Sequence, residues 1–378
     1  MTRVVIVGPR RRIRGGISQF TNHLSAALAG RAEVEHISFR RLYPWWTRPG
    51  RDDHDPSQEL PPGDPDPGLV AWRPFTWWSA ARRLRAAAPD LLIYHWWHPA
   101  FGPSLRYLSR RAKNRGARVV AVCHNHLPHE RIPFARWMTR RTLSEADVVI
   151  ALSDWTAERL KELAPSLRIR SLQHPPFLYE PSPGAAREWS RRARPGDPTI
   201  LFFGYVRPYK GLEDLVRSMS HVRRRFPDAV LVVAGPFLER VATYRRLAER
   251  LGVADAVRLL DGYVPNEEVP AVYSLADVVA LPYRSATQSG VLPQARAAGK
   301  RVVATAVGGV PESAGPGVVL VPPRDPRALA EGIAEALSQP PPVPESGGWE
   351  AWRDALLEEA GVGRAFEDPV RGRRQGPS

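Results

Sequence analysis

Short β-branched apolar runs alternate with segments whose apolar positions recur at helical spacing, and they do so in two separate series. Residues 3–7 (RVVIV), 90–94, 118–123 and 147–152 read as buried strands. Residues 17–28 set Ile17, Phe20, Leu24 and Leu28 on one helical stripe, and 104–115, 134–144 and 154–163 repeat that pattern. A second series has strands at 199–204, 229–234, 257–260, 277–281, 301–305 and 318–321, with helices at 211–226, 239–251, 291–298 and 326–337. Alternation of this kind predicts parallel sheets covered on both faces, because each crossover lays a helix on the sheet. With 378 residues there is material for two cores. The expected architecture is therefore α/β: two Rossmann-like, doubly wound domains facing across a cleft, with ligands at the carboxyl ends of the strands.

Three stretches break the rhythm. Residues 43–75, rich in Pro, Gly, Asp and Trp, read as an irregular insertion in a first domain spanning 1–180. Residues 181–198, dense in Pro and Arg, read as a linker to a second domain over 199–337. From 338 a Pro-rich linker leads to a possible final helix near 349–359, expected to pack back on the first domain, and to a disordered tail from Asp368.

No apolar run reaches the length of a membrane span, no signal-peptide pattern opens the chain, and Cys123 is the single cysteine. These features predict a cytoplasmic protein without a disulfide framework. The net charge of +15 calls for an anionic partner or reflects an Arg-rich composition. Neither an aromatic base-stacking platform nor a recognition-helix signature accompanies the charge, so nucleic acid is not expected.

The residues that carry chemistry sit where strands end. In FFGYVRPYKGLEDLV a strand closes at Gly204, a loop carries Arg207 and Lys210, and a helix starts near Gly211. Two cations beside helix-start amides suit a diphosphate; the plainer reading is two solvated loop cations. In PYRSATQSGVLPQARAAGK a polar loop, 285–290, precedes a helix from Val291 that carries Gln294 one turn in. Gly15 and Gly16 precede the first helix; their spacing is not that of a dinucleotide fingerprint, and a plain tight turn competes with a ligand loop. His124 ends a strand with Asn125, His126 and His129 near it; the irregular spacing disfavours a metal site and leaves a site histidine or an ordinary loop histidine. Trp96 and Trp97 also end a strand, either stacking on a sugar or packing in the core. Acidic residues within 51–55, and Asp64 and Asp66, fall in the insertion and read as solvated loop charge.

Across nearly all of residues 199–337 the order and spacing of Arg207–Gly211, Ala286–Gln294, Gly299–Thr305 and Gly308–Glu312 resemble the retaining GT-B glycosyltransferases of family 4 (glycosyl transferases group 1). The resemblance implies transfer of a sugar from a nucleoside-diphosphate sugar to an acceptor hydroxyl of a glycan, glycolipid or lipid-linked saccharide, with retention and with neither metal nor cofactor. It places Gly204, Arg207, Lys210 and the amides of Ser289, Gly290 and Val291 at the donor diphosphate, and Tyr263 in the loop that meets the base. His124 falls at the donor sugar, and Gly15 and Gly16 at the diphosphate or acceptor; Trp96 and Trp97, from their place at a strand end, are the residues expected on an acceptor-side wall if they do not pack in the core. The family's paired glutamates are replaced by Ala286 and Gln294. Gln294 keeps a hydrogen bond for ribose, Thr287 or Gln288 takes over the sugar hydroxyl, and donor identity is left open. The alternative is a non-catalytic chain that kept the GT-B fold. Arg40, Arg41, Trp45, Trp46 and Arg48, and Trp77, Trp78, Arg82, Arg83 and Arg85, mix cations with interfacial aromatics, which suits either peripheral contact with an anionic membrane or a solvated helix with a buried tryptophan face.

Overall fold

A computed structural model of the chain describes residues 1–10, 13–42, 54–57, 68–128, 132–345 and 348–362. Trp45, Trp46, Arg48, Asp64, Asp66, His129 and the tail from Asp368 lie outside the described residues. The chain divides into two compact units: Met1–Asp55, Leu60–Gln173 and Gly348–Ser378 form one, and Pro56–Glu59 with His174–Gly347 form the other.

The first unit runs β1 (Thr2–Val7), α1 (Gly16–Leu28), β2 (Ala32–Ile37), α2 (Pro74–Ala87), β3 (Leu91–Trp96), α3 (Gly102–Lys113), β4 (Arg118–Cys123), α4 (Ala135–Leu143), β5 (Val148–Ala151), α5 (Asp154–Leu163) and β6 (Ile169–Ser171). Its strands form one parallel sheet in the order β2-β1-β3-β4-β5-β6. Strand β3 (LLIYHW) is buried along its whole length, as a central strand covered on both faces must be. The chain steps outward from β1 to β2, then crosses to the other side for β3. The strand order thus reverses between β1 and β3, the point at which open α/β sheets take ligands beyond the carboxyl ends of their strands.

The second unit runs α6 (Ala185–Ala193), β7 (Thr199–Phe203), α7 (Leu212–Arg225), β8 (Val230–Gly235), α8 (Val241–Arg250), β9 (Val257–Asp261), α9 (Val269–Ser274), β10 (Val278–Leu281), α10 (Val291–Ala297), β11 (Arg301–Thr305), β12 (Val318–Val321) and α11 (Pro326–Ser338). Its parallel sheet has the order β12-β11-β10-β7-β8-β9, so its reversal falls between β7 and β10. Both polar loops singled out in the sequence leave the sheet at this point.

The last helix, α12 (Trp349–Ala360), belongs to the first unit. Trp349 and Trp352 meet the edge of Phe20 at centroid distances of 4.9 and 5.1 Å. Arg353 donates to the carbonyl of Ala27 at 2.8 Å, and Arg168 and Arg170 hold Glu359 at 2.8 and 2.9 Å. Apart from the segment carrying α12, the first unit ends at Gln173 rather than at 180, β6 and α9 were not read from the sequence, and three further details differ from that reading. The stretch 181–198 is not a bare linker: it contains α6, whose Trp189 is buried among Leu201, Val230 and Val272 and donates to Glu268 at 2.8 Å. Edge strand β2 was hidden by Glu33 and Glu35, which alternate outward while Ala32, His36 and Ile37 are buried. Asp55 is not solvated loop charge but fully buried, accepting from Gln19 Nε2 at 2.9 Å.

Candidate functional site

Strand β7 hands the chain to Gly204 at φ +98°, and a single 3-10 turn, Pro208–Lys210, carries it to α7. Gly211 caps that helix in the left-handed region, and a Cβ there would lie 1.9 Å from the carbonyl oxygen of Pro282. Glycine is required for both reasons. It lets the loop after β7 press against the loop after β10, where Arg284 N donates to Tyr209 O at 2.7 Å. The Arg284 guanidinium clamps Asp214 through two bonds of 2.7 Å and reaches Glu213 at 3.3 Å. Its charge is therefore spent on bracing the loop.

Arg207 and Lys210 are different. Both are half-buried, and among the described residues neither forms an ion pair. Lys210 Nζ lies 5.4 Å from the centroid of the Tyr283 ring. It is also 3.5 Å from where a Gly204 side chain would begin, with Val291 Cγ2 at 4.0 Å from the same point. Burial, and then the neighbouring Arg207, push the Lys210 pKa down to about 8. Two cations held together without a carboxylate form a site that gains when an anion enters. Because the ammonium form is the one that grips a diphosphate, nucleoside-diphosphate affinity is expected to be full below about pH 8 and to fall as pH rises through that value. The limiting loss is on the order of tenfold per pH unit if the charge is needed for binding. Titration calorimetry with a nucleoside diphosphate at successive pH values checks this, and Lys210→Arg should flatten the profile.

In the facing loop, Ala286, Thr287 and Ser289 are buried and Gln288 and Gly290 half-buried. Ser289 Oγ accepts from Leu292 N at 3.2 Å and lies 3.4 Å from the Tyr283 hydroxyl, which fixes the start of α10. The position of a Gly290 side chain would be 3.5 Å from His174 Nε2 and 3.6 Å from Phe177. Gln294 is buried; its Oε1 accepts from Tyr273 at 3.3 Å and its Nε2 donates to the Phe177 carbonyl at 3.3 Å. The amide expected at a ribose is thus held by the protein itself at both ends. Tyr263 is half-buried beyond the carboxyl end of β9, on the same edge of the sheet. Gly204, Lys210 and Val291 come together as the sequence reading expected. Tyr283, Arg284 and the 174–177 segment were missed, although the Pro-Tyr-Arg at the end of a strand was a usable signal.

In the first unit Gly15 (φ +130°) caps α1, and open space lies over Gly15 and Gly16. His124 follows β4, buried, its amide donating to Trp96 O at 2.9 Å. Cys123 Sγ donates to Asn125 O at 3.3 Å, and His126 meets the Trp155 ring edge-on at 5.1 Å. His124 Nε2 is 3.0 Å from Nδ1 of His95, a neighbour the sequence reading overlooked. The acceptor-side wall is corrected: Trp96 is 1% and Trp97 7% exposed, and Trp97 packs against Phe101 and Phe39 at 4.2 and 5.8 Å. Strand β3 turns these indoles into the apolar core, where most tryptophan surface goes. No group of three or more His, Cys, Asp or Glu arranged for a metal ion occurs among the described residues.

Two doubly wound parallel units, each reversing its strand order at the centre of its sheet, define a two-domain α/β protein of the GT-B fold. Solved structures agree: sucrose-phosphate synthase from Thermosynechococcus elongatus superposes with a TM-score of 0.64 at 19% identity, over 96% of this chain and 94% of that one. Anabaena Alr3699/HepE in complex with UDP gives 0.65 at 15% identity, over 97% and 98%. Residues 186–346 match the family described as glycosyl transferases group 1, and residues 14–175 match glycosyltransferase family 4. The chain is 34% identical over 281 residues to the GDP-mannose-dependent alpha-(1-6)-phosphatidylinositol monomannoside mannosyltransferase of Mycolicibacterium smegmatis, covering 69% of this chain and 72% of that protein. Against the enzyme of the same name from Mycobacterium tuberculosis it is 36% identical over 248 residues, 61% of this chain and 63% of that protein. It is 36% identical over 171 residues to the D-inositol 3-phosphate glycosyltransferase of Corynebacterium glutamicum, spanning 42% of this chain and 40% of that protein. The chain belongs to the group 1 glycosyltransferases.

Proposed function

We propose that this glycosyltransferase moves a hexosyl group, mannose from GDP-mannose, to a hydroxyl of an anionic, inositol-phosphate-bearing lipid, with retention of configuration. The observation that carries the reading is the unpaired Arg207–Lys210 pair at the reversal point of the second sheet. As the glycosidic bond breaks, negative charge builds on the leaving diphosphate, and these cations, with the amides of Ser289, Gly290 and Val291, stabilise it. Thr287 and Gln288 serve the sugar hydroxyls in place of the glutamate replaced by Ala286. Gln294 shapes the ribose side and Tyr263 meets the base. His124 positions the sugar, and the loop before α1, with Arg10 and Arg14 beside Gly15 and Gly16, receives the acceptor. No resident metal or cofactor enters the scheme, since cations and amides of the chain do that work. The relatives' names support the donor and acceptor classes.

Among the described residues no helix is long and apolar enough to cross a membrane. The proposed route to a lipid acceptor is surface contact through α2 and its neighbours. Trp78 is 65% and Phe75 60% exposed, with Arg82 and Arg85 exposed on the same helix. Trp137, also exposed, lies on α4 with exposed Arg136, Arg140 and Arg141, and α3 packs against both helices. Trp77, expected to share this role, is half-buried and donates to the Val70 carbonyl at 3.1 Å, and Arg83 donates to His36 O at 2.7 Å. Both serve the fold.

The test is incubation with GDP-mannose and vesicles containing phosphatidylinositol. The expected outcome is co-sedimentation, GDP release and a mannosylated lipid, with sedimentation much reduced in the Phe75→Ser/Trp78→Ser double variant. Absence of GDP release with and without vesicles contradicts the transfer reading; release without sedimentation removes only the membrane contact.

A further inference from the structure

The first unit buries a second imidazole that the assigned roles leave unused. His95 lies on β3 with 0% exposure, in a strand whose neighbours Ile93, Tyr94 and Trp96 are ordinary core residues. Its Nδ1 is 3.0 Å from His124 Nε2. Three surfaces fix its ring. A Cβ on Gly8 would come within 2.5 Å of His95 Cδ2, so glycine at the end of β1 is what makes room for it. Phe20 meets both imidazoles edge-on, His95 at 5.7 Å and His124 at 5.1 Å. The His124 amide is tied to Trp96 O, one residue beyond His95. An apolar side chain would fill the same space without the cost of burying an imidazole, so the pair is best explained by what it does to His124.

The protons can be assigned from the bonding. Among the described residues His95 Nε2 has no hydrogen-bond partner. If the proton sat there, the strand would bury an orphan N–H; with the proton at Nδ1 it is used in the bond to His124, and only a lone pair stays unmatched. His124 Nε2 is then the acceptor, and its own proton must be at Nδ1. Burial holds the His95 pKa down to about 3, so it stays neutral and works as a fixed dipole over the whole physiological range.

We propose that His95 is a positioning residue that locks His124 in the Nδ1–H tautomer and in one ring plane, so that the proton His124 carries is fixed on one side of its ring. For its effect on turnover the inference rests on His124 serving the donor sugar; the tautomer itself stands apart from that reading, and the experiment separates the two. In the full-length protein labelled with 15N-histidine, long-range 15N–1H correlations, assigned with His124→Gln, report which nitrogen carries the proton. Expected are Nδ1 protonation of His124 in the wild type and a tautomer mixture in His95→Phe. His95→Asn should restore the wild-type pattern, its amide nitrogen standing where Nδ1 stood. GDP release from GDP-mannose should fall about tenfold or more in His95→Phe at unchanged KM, and recover in His95→Asn. Protonation of His124 at Nε2, a pattern unmoved by His95→Phe, or an Asn variant no better than Phe overturns the proposal. If His95→Phe does not fold, His95→Leu is compared with His95→Asn on the same readouts. A wild type that shows the expected tautomers but releases no GDP fails the proposed reaction while leaving the histidine pair standing.

Discussion

In isothermal titration, Arg207→Ala and Lys210→Ala are each expected to weaken GDP binding by about ten- to a hundredfold. A hydrogen bond to a charged group contributes about 1.5–3 kcal/mol, and each 1.4 kcal/mol is a factor of ten. The two side chains reach this effect differently. Arg207 can grip two phosphate oxygens with a planar fork, so Arg207→Lys should recover only part of the loss. Lys210 is a point charge over the Tyr283 ring, and its effect should vanish at high pH. Among the described residues neither cation has a carboxylate partner, so their removal leaves no orphaned anion there. Lys210→Met should therefore fold at least as well as the wild type. The folded-state pKa of Lys210 lies below the ordinary lysine value. Folding then costs free energy when the group is charged in both states, below about pH 8, and the cost disappears as pH rises past the unfolded value. Thermal melts at neutral pH that leave the variant's midpoint unchanged or raised, beside lost GDP affinity, separate ligand binding from structural support.

Gly211→Ala should be the second large effect, from a single methyl group. The new Cβ would sit 1.9 Å from Pro282 O on a residue already at φ +70°, and neither backbone can yield without moving the Lys210 turn or the loop after β10. Strain of this kind costs about 1–3 kcal/mol. The clamp of Arg284 on Asp214 should keep α7 in place, so the distortion falls on the turn at Pro208–Lys210. Gly211→Ala is expected to bind GDP as poorly as Lys210→Ala while losing only part of its thermal stability. Gly15→Ala is the contrasting case: its Cβ meets nothing within 4 Å, and only the cost of φ +130° applies. Equal GDP affinity for Gly211→Ala and wild type would show that the turn has no bearing on the diphosphate.

Periodicity carried the fold because the central strands are buried on both faces and read as nearly unbroken apolar runs, as in VVIV and LLIY. Edge strands left weaker traces: Glu33 and Glu35 broke up β2, and β6 is three residues long. Helix α6 escaped because its register is set by Trp189 and small alanines between runs of Arg and Pro, with few large apolar residues to mark a stripe. The place of the cation pair was legible because Arg207 and Lys210 stand between a strand end and the glycine that opens a helix; that both are half-buried rather than solvated is a property of the fold. The tryptophans were not. Trp96 and Trp97 end a strand, as a site residue would, and only the packing of Phe39 and Phe101 shows that they point into the core. Gln294 was singled out for its place in the first turn of α10, but Tyr273 and the Phe177 carbonyl, far away in sequence, decide what its amide does. His95 could not be distinguished from any strand residue until its partner across the sheet was in view. Sequence reports what a position can be made of; which side chain it meets from another strand is a property of the fold.

The claim beneath the whole account is that Arg207 and Lys210 take the phosphates of a nucleotide-sugar donor. A crystal structure of the protein with bound GDP tests it directly. The account predicts phosphate oxygens within hydrogen-bond distance of the Arg207 guanidinium and of Lys210 Nζ, at the carboxyl ends of β7 and β10. GDP bound elsewhere, with both side chains turned away from its phosphates, would contradict it.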